Sequence, residues 1–176
     1  MRIVALIICL SAVANPQAGE KWLYSEYAET DALASVYEGV ESPTQPIPPD
    51  SEALIVYFPV ATDCMPYFQV LTREKADAFR LRVDDGKTHQ FRWFDSADDG
   101  VIATTIAPGD EGNKQALQGR VEEAYLIARN LMDGDAVEVT LQPSGKVLRW
   151  NLKDSRNMIS KAYEHCAVGI GDKVFP

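Results

Sequence analysis

Arginine and glutamine occupy alternate positions in two short segments: Arg80 and Arg82 within Phe79-Arg80-Leu81-Arg82-Val83, then Gln90 and Arg92 within His89-Gln90-Phe91-Arg92-Trp93. A guanidinium is a rigid fork of donors that grips a carboxylate or phosphate through two parallel hydrogen bonds. Several on one surface therefore make a receptor for an anionic, carboxylate-rich partner. Alternation matters because successive side chains of a strand point to opposite faces. If both segments belong to one hairpin, Arg80, Arg82, Gln90 and Arg92 share its outward face. The competing reading is a solvated face neutralised by Asp77, Asp84 and neighbouring acids, since an exposed ion pair contributes only about 0 to 1 kcal/mol.

Other residues capable of chemistry are sparse. The chain has two histidines. His89 falls on the inward side of the same hairpin, where a histidine acts as a hydrogen-bonded core residue. His165 precedes Cys166 at the expected end of a helix, where an imidazolium suits the helix dipole. Neither stands at a metal-ligand spacing, and no Gly-x-Ser-x-Gly elbow exists to present a nucleophile. Asp95-Ser96-Ala97-Asp98-Asp99-Gly100 begins like a calcium loop, but Ala97 replaces the third ligand and Ile106 the twelfth, so it reads as an acidic turn. No catalytic residue, metal ligand or cofactor is assigned.

Residues 1–18 read as a signal peptide. Arg2 is a minimal basic start, Ile3 to Val13 is almost wholly apolar, and Ala12-Val13-Ala14 and Pro16-Gln17-Ala18 each offer a small residue at the cut, after Ala14 or after Ala18. The run is too short for a membrane span, which needs roughly 20 apolar residues. Residues 19–176 form one exported domain, periplasmic or secreted. Losing the leader discards Cys9 and leaves Cys64 and Cys166, a pair expected to be bonded in an oxidising compartment. It also discards Arg2, taking the formal net charge from −9 to −10. That balance argues against nucleic acid as a partner, and against attraction to an anionic membrane. No membrane insertion is expected after the leader is removed.

Several elements must position the arginine face. Trp22 to Tyr27 reads as a strand, Ser42 to Pro49 as a proline-broken loop, and Ala53 to Val60 as a central strand apolar on both faces. Around Asp84-Asp85-Gly86, a three-residue turn with Gly86 left-handed pairs Val83 with Lys87, Leu81 with His89 and Phe79 with Phe91. Phe79, Leu81, Phe91 and Trp93 then face inward, and a one-residue slip would invert the arrangement. A second hairpin, Asp135 to Leu152, turns at Pro143-Ser144-Gly145-Lys146 and aligns Val137, Val139 and Leu141 with Leu152, Trp150 and Leu148 respectively. Val101 to Ile106 is a further strand and Pro108 to Asn113 a polar loop. Helices are expected over Arg120 to Met132, stopped at Gly134, and from a cap at Asp154 or Ser155 through Cys166, with Met158, Ile159, Ala162, Tyr163 and Cys166 on one stripe. The fold class is a β-rich α+β domain: an antiparallel curved sheet or sandwich with two packed helices.

Four of these features also carry a resemblance: the early Trp22 segment, the apolar strand leading to Cys64, the hairpin from Phe79-Arg80-Leu81-Arg82-Val83-Asp84 to Phe91-Arg92-Trp93, and the terminal cysteine-bearing helix. Together they resemble the small exported proteins related to the type VI secretion accessory protein TagO and, more loosely, the invasion-associated locus B proteins. That resemblance implies a periplasmic, non-enzymatic protein that acts by contact. The expected function is therefore binding of a protein or other macromolecule of the envelope or a secretion system. One alternative is an inhibitor or immunity protein that occludes an exported hydrolase or toxin, its acidic surface complementing a basic cleft. A second alternative is an envelope enzyme.

Expression with its leader should yield an exported chain beginning at Asn15 or Gly19. N-terminal sequencing and intact mass decide this, and an exported chain that still begins at Met1 would refute the leader assignment.

Overall fold

The computed structural model describes residues 20–27, 31–42, 44, 46, 48, 51–74, 76–92, 104–106, 115–119 and 123–170. The leader, Trp93, the Asp95 to Gly100 turn and the Pro108 to Asn113 loop lie outside these residues. Their ten strands are β1 (Trp22–Tyr27), β2 (Asp31–Tyr37), β3 (Ala53–Phe58), β4 (Tyr67–Thr72), β5 (Ala78–Val83), β6 (Thr88–Arg92), β7 (Thr104–Ile106), β8 (Gln115–Gly119), β9 (Ala136–Gln142) and β10 (Val147–Asn151). The two helices are α1 (Ala124–Asp133) and α2 (Ser155–Ile170), and a single 3-10 turn spans Val60–Thr62.

Two antiparallel sheets result. One has the order β1-β2-β3-β4-β8-β7, the other β10-β9-β5-β6. β3 is central and buried on both faces, as its unbroken apolar run requires. The sheets meet through the inward side chains of alternate residues. Phe79, Leu81, Phe91, Val137, Val139, Leu141, Leu148 and Trp150 come from the four-stranded sheet, and Val36, Leu54, Val56, Phe68 and Val70 from the larger one. Phe79 and Phe91 stack at 4.5 Å, and Phe68 crosses from the opposite sheet to meet Phe91 edge-on at 5.7 Å. The architecture is thus β-rich α+β, with the helices packed beside the sheets.

α2 runs across β1, β2 and β3. It lies against Ala32 and Ala34, whose small side chains allow the helix to approach, and Tyr163 meets Phe58 edge-on at 5.9 Å. Cys166, on the buried stripe, is bonded to Cys64, 102 residues earlier in the loop after β3. Closing a loop of that length contributes about 4 to 5 kcal/mol on chain-entropy grounds, with realised values nearer 2 to 4. The buried hydroxyl of Ser155 donates to the Leu131 carbonyl at 2.7 Å, joining the start of α2 to the end of α1. A second tie joins the sheets: Glu52 Oε1, before β3, accepts from Thr72 and from Lys146 of the β9–β10 turn, both at 2.8 Å.

The first hairpin has the expected register, with Phe79 opposite Phe91 and Leu81 opposite His89. Its left-handed residue is not Gly86, however, but Asp84, at φ 47°. Aspartate tolerates that region, and here its carboxylate accepts the N–H groups of Asp135 and Ala136, at distances between 2.9 and 3.3 Å. Gly86 is needed for closeness instead, since a Cβ there would lie 2.9 Å from the Val83 carbonyl oxygen. The second hairpin keeps its faces but slips by two residues. Val137 pairs with Trp150 and Val139 with Leu148, because Leu141 closes the turn with Lys146 and Gly145 adopts φ 76°. A two-residue slip preserves parity, so the core set is unchanged.

Other boundaries move. β3 ends at Phe58, ahead of Pro59, and α2 continues four residues past Cys166 to Ile170. The described part of α1 starts at Ala124, and residues 120–122 lie outside the description. β2, β4 and β8 are not anticipated by the sequence reading. α1 does stop before Gly134, but that glycine is extended, at φ −85°. Its role is a tight contact: a Cβ would fall 2.4 Å from Val83 Cγ1 and 2.8 Å from Asp84 Oδ2.

Gly134→Ala should therefore destabilise the fold by about 1 to 3 kcal/mol through overpacking. Urea unfolding checks this, and an unchanged or raised midpoint would contradict it.

A candidate binding face on the four-stranded sheet

The outward face of β10-β9-β5-β6 is built in rows, because residues paired across antiparallel strands point the same way. One row is Arg149, Glu138, Arg82 and Thr88; the next is Val147, Thr140, Arg80 and Gln90. A third begins with Gln142 opposite Ala78, which is in turn opposite Arg92. Arg80, Thr88 and Gln90 are exposed, as is Val147, a large apolar side chain on the edge strand.

Charges on this face are unevenly matched. Glu138 stands between two arginines. Its Oε2 accepts from Arg149 Nε at 3.0 Å and Nη2 at 2.8 Å, and its Oε1 lies 3.4 Å from Arg82 Nη2. Arg80 pairs with no carboxylate among the described residues. With the Gln142 amide oriented by its neighbours, its oxygen accepts from both Nε and Nη2 of Arg80 at 3.1 Å. The other end of that amide lies 3.3 Å from the Gln90 amide. Asp84, one of the acids considered as neutralising this face, instead spends its carboxylate on the backbone at the start of β9.

The β5–β6 register sets Arg80, Arg82 and Gln90 on one face as expected, and Arg92 shares it by register, its side chain lying outside the description. Arg149, Glu138 and Gln142 stand on the same face and were not anticipated from sequence. The signal was present in the polar positions that alternate with Val137, Val139, Leu141, Leu148 and Trp150. Lacking was the pairing of β5 with β9, which sets the second hairpin beside the first.

The histidines lie elsewhere. His89 is buried as expected, with Nδ1 3.3 Å from Glu123 Oε2, and Lys87 donates to both oxygens of that carboxylate at 2.8 and 2.9 Å. Burial pushes the His89 pKa down, against the pull of Glu123, while the Lys87 hydrogen bond lowers that of the exposed Glu123. His165 is not at a helix end, because α2 continues beyond it. It lies edge-on to Tyr24 and 3.8 Å from Glu26. Burial and the Glu26 carboxylate push the Tyr24 hydroxyl up to about 12. Cys64 and Cys166 are spent on the disulfide, and no group of three or more metal-ligating side chains occurs among the described residues. Nor is any described helix long and apolar enough to cross a membrane.

Comparison of the chain with protein-family models, with characterised proteins and with solved structures returns no match.

One further carboxyl stands out. Glu20 is buried, accepts an N–H from Gly39 at 3.3 Å through Oε1, and has no hydrogen-bond partner for Oε2 among the described residues. Burial, aided by the nearby Glu38, pushes its pKa up from 4.5 to about 7. A carboxyl raised on folding favours the folded state when protonated. The penalty of ionising it grows as pH rises from about 4.5 and is complete above about 7. Glu20→Gln should therefore melt above the parent at pH 8 and close to it at pH 4. A variant that melts below the parent at pH 8 would contradict the assignment.

Proposed function

We propose that the protein is exported to the cell envelope, periplasmic or secreted, and works there without catalysis by binding another macromolecule through the outer face of β10-β9-β5-β6. The observation that carries this reading is that Arg80, Arg82 and Arg149 share one face on which Glu138, among the described residues, pairs with only two of them, in a chain of net charge −9. A cationic face set against an acidic average orients an anionic partner and speeds its encounter. The bonded Cys64 and Cys166 fit an oxidising compartment. The resemblance to TagO-related exported proteins points to the same mode of action by contact.

The acidic balance of the whole chain supports a second reading, an inhibitor or immunity protein that covers a basic hydrolase or toxin. The two readings differ in the surface used. A photo-crosslinking residue at Thr88, within the face, should capture the envelope partner. Arg80→Glu combined with Arg92→Glu should weaken that capture at least roughly tenfold, or about 1.4 kcal/mol, while thermal stability stays within about 0.5 kcal/mol of the parent. Unchanged capture by a folded double variant would overturn the arginine face. Capture of a basic hydrolase at acidic positions away from Thr88 would favour the inhibitor.

A further inference from the structure

The arginine face is divided by its own hydrogen bonds. Glu138 engages two guanidiniums at once, Arg149 through Nε and Nη2 and Arg82 through Nη2. Arg80, the next outward residue along β5, meets only neutral groups among the described residues: the Gln142 amide oxygen faces its Nε and Nη2 at 3.1 Å, and Gln90 stands behind that amide. The amide oxygen occupies the place a carboxylate oxygen takes in an arginine fork. A carboxylate adds to these bonds the attraction of an opposite charge and offers the fork two oxygens where the amide offers one, so it exchanges favourably for that amide.

Resting on the reading of this face as the contact surface, we propose that it takes an extended acidic peptide. One carboxylate seats on Arg80 between Gln90 and Gln142, and a second, two residues along the peptide, draws Arg82 away from Glu138. The spacing fits. Alternate residues of an extended chain are about 6.6 to 6.8 Å apart, and Arg80 and Arg82 are themselves alternate residues of one strand. A peptide running along β5 therefore keeps step with both. The neutral groups fit a peptide as well, since amide side chains both donate and accept, as peptide backbone does. An inorganic polyphosphate offers acceptors alone and would leave the Gln90 and Gln142 carbonyls unmatched. Glu138 then acts as a resident competitor. It lowers the affinity for isolated carboxylates and favours partners that bring two at once, because the second binds from a high effective concentration.

The test is fluorescence anisotropy at low salt with a labelled peptide of alternating glutamate and threonine, and with inorganic polyphosphate of equal charge as competitor. The full chain should bind the peptide. Arg80→Gln should weaken binding at least tenfold, and Arg80→Lys, which keeps the charge but loses the fork, should also weaken it severalfold. Glu138→Gln should tighten it severalfold. Arg156→Gln, whose residue pairs with Asp133 away from this face, should leave it unchanged. Circular dichroism confirms that each variant is folded. The proposal is overturned if Arg80→Gln and Arg156→Gln behave alike, if Glu138→Gln weakens binding, or if polyphosphate displaces the peptide at lower concentration than unlabelled peptide does. Should any of these occur while Arg80→Glu with Arg92→Glu still abolishes capture of the envelope partner, the face stands and only its peptide assignment falls. Loss of neither signal removes both.

Discussion

β5 is the constraint on which the rest of the four-stranded sheet depends, because it pairs on both sides. Leu81 lies between His89 and Val139, and Arg80 between Gln90 and Thr140. Its period of two is thereby imposed on its neighbours. Once Phe79, Leu81 and Val83 are committed to the interior, the outward residues of four strands are committed with them. The buried aromatic stack and the exposed arginines are two consequences of one parity. Burying Phe79 and Phe91 at roughly 25 cal/mol per Å² of apolar surface outweighs anything exposed charges contribute. The core therefore decides where the arginines stand, and the arginines have no say in it.

Helices and covalent chemistry then hold the larger sheet. α2 covers β1 to β3 where alanines leave room, and the Cys64–Cys166 bond fastens it to the loop following β3. At the opposite side of that strand, the buried Glu52 reaches Thr72 and Lys146. A carboxylate enclosed without partners would be costly, so this pair has to form as the sheets come together. Trp22 completes the closure, its indole N–H donating to the Asn151 carbonyl at 3.0 Å and so joining β1 to β10.

Local pattern was legible and distant pairing was not. Strong alternation identified β5, β6, β9 and β10 with their inward faces, an unbroken apolar run identified β3, and cysteine parity identified the disulfide. β2 escaped because Ala32, Ala34 and Ser35 are small and only weakly strand-forming, and their fitness is visible only with α2 lying over the strand. Gly86 and Gly134 were assigned conformational roles, yet what each position demands is the absence of a Cβ near Val83. That is a tertiary property. For the same reason half of the candidate site was visible: the residues of one hairpin could be placed on a face, whereas Arg149 and Glu138 join them only through β5 and β9.

The carboxylate of Asp84 receives the first backbone N–H groups of β9, 51 and 52 residues further on. Each hairpin is a local structure that closes quickly, while joining them must overcome the loss of entropy in the intervening chain. Asp84 therefore fastens late, when α1 has ended and β9 has come alongside. Arg80 and Arg82 arrive from one hairpin, Glu138, Gln142 and Arg149 from the other. Neither hairpin alone carries the complete face, so the proposed recognition at this surface would depend on the two having docked.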